Sequence, residues 1–126
     1  MQIVQTALSL NVPEPAASAD FLRRHLGFTT EMEQGDSFVS LKHPSGGPNI
    51  IFLQTGLETF KPAHRAGSAG DGLLLVFVVE GIDAVHEQFV RDGATVVTPP
   101  ETEPWGERFS QYEDPNGIIV QLVEWV

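Results

Sequence analysis

Residues 104–126 read Pro104-Trp105-Gly106-Glu107-Arg108-Phe109-Ser110-Gln111-Tyr112-Glu113-Asp114-Pro115-Asn116-Gly117-Ile118-Ile119-Val120-Gln121-Leu122-Val123-Glu124-Trp125-Val126. Two strands around a tight turn are legible in them. Phe109, Gln111 and Glu113 alternate with Arg108, Ser110 and Tyr112, the period of two that gives a strand two different faces. Asp114-Pro115-Asn116-Gly117 then places three turn formers ahead of the residue that most readily takes a positive φ. Ile118 to Val126 returns as a β-branched run, and Gln121 on that return strand is the position that bears on chemistry.

The same order occurs twice along the chain. In the first half Ile3 to Val12 predicts a strand, and Pro13-Glu14-Pro15 suits a helix entrance. Ala17, Phe21, Leu22 and His25 form one apolar stripe, and Gly27 ends the helix. Short strands follow at Phe28 to Glu33, Ser37 to Lys42 and Asn49 to Gln54, the last two joined by His43-Pro44-Ser45-Gly46-Gly47-Pro48. Residues 56–72 have no periodicity and read as a linker or mobile loop. The second half repeats the plan: a strand at Leu73 to Val79, a helix at Ile82 to Arg91 stopped by Gly93, a strand at Ala94 to Val97, a polar loop at Pro99 to Pro104, and the closing hairpin. His43-Pro44-Ser45-Gly46 answers Asp114-Pro115-Asn116-Gly117. The expected architecture is α+β: two tandem βαβββ units, 1–60 and 72–126, joined by 61–71 within one domain. Their curved mixed sheets would surround a cup lined by alternate residues.

Composition bounds what such a chain can do. A length of 126 residues suffices for one buried core. No apolar run approaches the roughly 20 residues that span a bilayer, and no signal peptide is read at the N-terminus. The absence of cysteine excludes disulfides, thiol nucleophiles and thiolate metal sites, and fits a cytoplasmic protein. Seventeen acidic against seven basic residues give a formal charge of −10, which argues against a nucleic-acid partner because phosphate binding needs a basic footprint. The charge serves solubility, or it marks an acidic cleft that attracts cations.

Taken together, the opening strand with its proline-rich helix entry, Phe21-Leu22-Arg23-Arg24-His25-Leu26-Gly27-Phe28, Arg91-Asp92-Gly93, and Pro104-Trp105-Gly106 followed by Asp114-Pro115-Asn116-Gly117 resemble the vicinal-oxygen-chelate superfamily. That superfamily comprises glyoxalase I, bleomycin-resistance proteins and extradiol dioxygenases, and the resemblance covers essentially the whole chain. It implies, for enzymes, one divalent metal held by four side chains, from the first and last strand of each unit. Carried over, those positions fall on Gln5, Phe52 (within one residue, hence Ile51 or Leu53), Leu74 and Gln121. Two of these cannot coordinate, and two neutral amides bind a divalent cation poorly without carboxylate or imidazole support. No metal and no other cofactor is expected.

The remaining candidates are weighed singly. His43 and His64 read as solvated surface residues and His25 and His86 as edges of helical stripes. No serine sits in the strained turn that activates a nucleophile. Trp105 is either a packing anchor or a stacking plate for a flat ligand. Phe38, Tyr112, Trp125 and Phe52 are further possible walls, with core packing the plainer role for Phe52. Glu31, Glu33, Asp36, Glu101, Glu103, Glu107 and Glu113 form either a solvated rim or an acidic mouth. The resemblance is closest in character to the bleomycin-resistance branch. It implies a homodimer that sequesters a drug-like or natural-product molecule, without altering it, in a cup at the dimer interface. The acidic charge and the aromatic rings point to a flat, aromatic, cationic ligand, with Trp105, Phe38, Phe52, Tyr112, Gln5, Gln121 and Glu107 as the expected ligand-binding residues. The rival is a glyoxalase-like lyase or dioxygenase with an unusual ligand set. A plainer alternative is a binding or interaction module with some other partner.

Overall fold

The computed structural model describes residues 1–126 as two compact units, 1–71 and 72–126. In the first, β1 (Ala7–Val12) leads to α1 (Pro15–Leu26), then β2 (Thr29–Gln34), β3 (Phe38–Lys42) and β4 (Asn49–Gln54). The second repeats the order with β5 (Leu74–Val78), α2 (Ile82–Arg91), β6 (Thr95–Thr102), β7 (Glu107–Glu113) and β8 (Ile119–Trp125). Each unit is a four-stranded mixed sheet, ordered β1-β4-β3-β2 and β5-β8-β7-β6. The first and last strands of each unit pair in parallel, and the other pairings are antiparallel. The helix makes that parallel pairing possible, because a parallel neighbour needs a long crossover.

In each unit one sheet face packs on the helix and the other does not. In the first, Leu10, Val12, Val39, Leu41, Ile50 and Phe52 are buried together with Phe21 and Leu22 of α1. In the second, Leu75, Val120, Leu122 and Tyr112 are buried, as are Ile82 and Phe89 of α2, with the Phe89 and Tyr112 rings 4.4 Å apart. The Glu124 carboxylate caps α2, accepting from the backbone N–H of Gly81 (2.7 Å) and Ile82 (3.1 Å). This satisfies donors that a helix start leaves without partners.

The β3–β4 and β7–β8 connections match in chemistry as well as position. Asp114 Oδ1 accepts from the N–H of Asn116 (2.9 Å) and Ile118 (2.8 Å), while Gly117, at φ 85°, supplies the left-handed residue that closes the loop. In the first unit His43 Nδ1 accepts from Ser45 N–H (3.0 Å), and its Nε2–H donates to the carbonyl of Leu26 (2.8 Å) at the end of α1. His43 is therefore not a solvated surface residue. Through these two contacts its ring holds a turn to a helix end, edge-on to Phe28.

The largest departures from the sequence expectation lie at β1, at β6 and in the mid-chain segment. β1 begins at Ala7 because its partner β4 begins at Asn49, directly after Pro48, which has no N–H to extend a ladder. β6 continues through Pro99 and Pro100 instead of ending at Val97. It is an edge strand, and its pairing with β7 shifts register between Thr98 and Glu101, where residues lacking a donor are tolerated. The segment read as a mobile loop is tied down: Asn11 Nδ2 donates to the carbonyls of Arg65 (3.3 Å) and Gly67 (2.9 Å), and Gly56 N–H donates to that of Ala66 (2.8 Å).

Removing the Asp114 carboxylate strands buried backbone donors, so Asp114→Ala is expected to cost about 1–3 kcal/mol. Urea unfolding should show a lower midpoint at an unchanged slope.

Candidate functional site

The face of the second sheet that α2 does not cover holds the polar groups with functional potential. Strand pairing places Glu107 opposite Trp125, Phe109 opposite Val123, Gln111 opposite Gln121, and Glu113 opposite Ile119 on this face. β5 adds Leu74, Val76 and Val78 beside Ile119, Gln121 and Val123, and all three are exposed. At the centre Thr98 Oγ1 donates to Gln111 Oε1 (2.8 Å), and Gln111 Nε2 donates to Gln121 Oε1 (2.8 Å). A polar ladder therefore crosses β6, β7 and β8 within an apolar surround.

Aromatic and acidic groups stand at one end of this face. Trp105 is 67% exposed and donates its indole N–H to Glu107 Oε1 (3.2 Å). Trp125, 61% exposed, is the cross-strand partner of Glu107. The turn that carries Trp105 is pinned, since Val126 N–H donates to the carbonyl of Gly106 (2.9 Å). A Cβ on Gly106 would lie 2.9 Å from the Val126 carbonyl oxygen, at φ 88°, so only glycine fits there.

Charge is divided unequally between the units. Residues 72–126 carry ten Asp and Glu against Arg91 and Arg108 alone, with no Lys. Both arginines are engaged elsewhere. Arg108 points to the helix side, where its guanidinium meets Asp83 at 2.6 and 3.1 Å and lowers that carboxyl below its ordinary pKa. Arg91 donates to Gln88. The uncovered face therefore bears Glu101, Glu107 and Glu113 and no cationic side chain.

The sequence-derived candidates separate accordingly. Trp105, Glu107 and Gln121 belong to this face or its end. Phe38 lies on the corresponding face of the first sheet, paired with Leu53, and Gln5 precedes β1 and is exposed. Phe52 and Tyr112 must be reassigned from ligand walls to core. Phe52 is 1% exposed on the α1 side, paired with Leu10 and Val39. Tyr112 is fully buried under α2, its hydroxyl donating to Ser110 Oγ (3.0 Å) and accepting from His86 Nδ1 (2.7 Å). Desolvation raises the Tyr112 pKa. Thr98 and Gln111 were missed. Counting back from the Asp114 turn would have set Gln111 opposite Gln121, whereas Thr98 reaches Gln111 only through the irregular register of β6.

The residues do not fit a divalent metal. Gln5 and Gln121 are neutral amides, Leu74 is aliphatic, and Phe52 faces the core. A shift of one residue along β4 reaches only Ile51 and Leu53. No three or more His, Asp or Glu side chains are grouped to hold an ion. No helix is long and apolar enough to cross a membrane.

Comparison with known proteins places the chain in a family. Residues 2–122 match the model of the Glyoxalase/Bleomycin resistance protein/Dioxygenase superfamily, and the chain belongs to it. Solved structures share the fold. A glyoxalase/bleomycin resistance protein/dioxygenase from Nocardioides is 22% identical, with a TM-score of 0.78 over 100% of this chain and 85% of its own. TioX from Micromonospora sp. ML1 is 20% identical, TM-score 0.75, over 98% of this chain and 100% of its own. Lactoylglutathione lyase from Agrobacterium tumefaciens is 18% identical, TM-score 0.78, over 98% and 94%. No curated protein matches the sequence.

If Phe52 and Tyr112 serve the core, their loss is read in stability. Phe52→Ala is expected to cost about 3–5 kcal/mol, and Tyr112→Phe about 1 kcal/mol or more from its lost hydrogen bonds. Thermal or urea unfolding checks both, with small-molecule affinity of the folded Tyr112→Phe protein unchanged.

Proposed function

We propose that this chain is a non-enzymatic binding protein that sequesters a flat, aromatic, cationic small molecule of drug or natural-product type. The observation that carries the reading is the chemistry of the second sheet's uncovered face. An amide sits where metal enzymes of the superfamily carry an ionic ligand, apolar side chains surround it, and carboxylates without cationic partners stand nearby. Two exposed indoles flanking Glu107 suit a planar cation, because a ring face attracts positive charge and stacks on flat surfaces. Any catalysis by bound metal would require donors that these positions lack.

The test is a tryptophan-fluorescence titration with matched planar aromatic cations and anions. The cations should bind more tightly, and added salt should weaken them. Trp105→Ala should reduce affinity about tenfold, the loss of roughly 1–3 kcal/mol of stacking. Indifference to both ligand charge and the substitution would remove the reading. Elemental analysis after loading with Zn, Ni, Fe or Mn should find no stoichiometric metal, and one tightly held ion per chain would favour a metalloenzyme instead.

The working form we propose is a homodimer. The edge strand β5 exposes Leu74, Val76 and Val78, and Ile3 and Val4 are also exposed. Apolar surface of this kind is commonly covered by association, and two-fold dimers are the most frequent solution. Sedimentation at micromolar protein should show twice the chain mass, and Val76→Lys should shift it to monomer.

A further inference from the structure

We infer that the Thr98–Gln111–Gln121 ladder orients the Gln121 amide so that its Nε2–H donates to a carbonyl oxygen of the bound molecule. This rests on the small-molecule binding reading and specifies the ligand further: a planar carbonyl compound, of quinone or pyridone type, bearing a positive charge.

The argument follows the protons. The Thr98 hydroxyl gives its single proton to Gln111 Oε1. Gln111 then turns Nε2 towards Gln121, which must meet it with Oε1. An amide has one oxygen and one NH2 group, so committing the oxygen to Gln111 leaves the Gln121 NH2 to face outward. Gln121 is half-buried, with Val76 and Val123 flanking it on the sheet. In such apolar surroundings a donor gains from an acceptor and discriminates against a ligand without one. A metal in this position would polarise a substrate oxygen, whereas the amide can hold that oxygen without activating it. Glu107 and Glu113, at the two ends of β7, leave the flanks of the same face to positive charge. A planar molecule with a central carbonyl and a peripheral cation satisfies both.

The probes are an anthraquinone carrying a trimethylammonium side chain, its anthracene counterpart lacking the two carbonyl oxygens, and a hydroxyanthracene with the same side chain. Wild-type protein should bind the quinone about tenfold more tightly than the anthracene, the size of one well-made hydrogen bond. Gln121→Glu, isosteric and still able to accept from Gln111, should bring the ratio of quinone to anthracene affinity to about one, because the added charge acts on the shared trimethylammonium group of both probes and cancels in the ratio. Thr98→Val should weaken the preference without touching the ligand, and should shift the Gln121 side-chain NH2 resonances in the 1H–15N spectrum of the free protein. Equal binding of quinone and anthracene would overturn the carbonyl assignment while the binding reading stands. Preference for the hydroxyanthracene would show the ladder running in reverse, and would overturn it too. If none of the three binds, the binding reading fails and the inference fails with it.

Discussion

The Asp114 carboxylate, by accepting from the backbone of Asn116 and Ile118, sets the register of the hairpin on which the candidate site depends. From that contact the pairing runs outward without slippage: Glu113 with Ile119, Gln111 with Gln121, Phe109 with Val123, Glu107 with Trp125. One residue of slip would turn every side chain of a strand to the opposite face. Gln121 would then enter the core beneath α2, and Leu122 would leave it. The turn thus holds two things at once, the packing of Val120 and Leu122 against the helix and the presentation of the amide pair opposite.

Repetition of the βαβββ plan has preserved scaffold chemistry and let surface chemistry diverge. Both units close the corresponding turn with a side-chain acceptor for the backbone N–H two residues on, Asp114 in one and His43 in the other. The faces away from the helices have parted. Residues 72–126 hold most of the acidic excess, and Arg108 is drawn to Asp83 on the helix side, so no cation offsets Glu107 or Glu113 on the uncovered face. Family membership, which the match over residues 2–122 shows, does not by itself select binding or catalysis. The side chains on the sheet faces away from the helices bear on that choice, and on the second sheet they include the Gln111–Gln121 amide pair beside Val76 and Leu74.

The linker illustrates how a few hydrogen bonds replace periodicity. Residues 56–70 carry no apolar repeat, yet the Asn11 side chain and the backbone of Gly56 and Ala69 secure them to β1 and to one another. Asn11 can do this because β1 turns it away from the α1 core while Leu10 and Val12 enter it. The ordering residue is thus one of two polar residues in β1, 54 and 56 positions from the carbonyls that it holds.

The sequence alone determined the two units, their helices and the closing hairpin, because these rest on local signals: apolar periodicity, proline at helix starts, glycine at helix ends and an Asp-Pro-Asn-Gly turn. Gln121, Trp105 and Glu107 could be singled out from the sequence as candidates, and the structure sets them on one sheet face or at its end. Tertiary structure decided which side of each strand meets a helix. Ile50-Ile51-Phe52-Leu53 is apolar throughout, so its pattern does not distinguish the buried face from the other. Arg108 to Glu113 alternates clearly but places an aromatic residue on both faces, Phe109 on one and Tyr112 on the other. Only the packing of α1 and α2 sent Phe52 and Tyr112 inward, and only the irregular register of an edge strand brought Thr98 to Gln111. Facing and register depend on contacts between segments distant in the chain, and local preference carries no information about them.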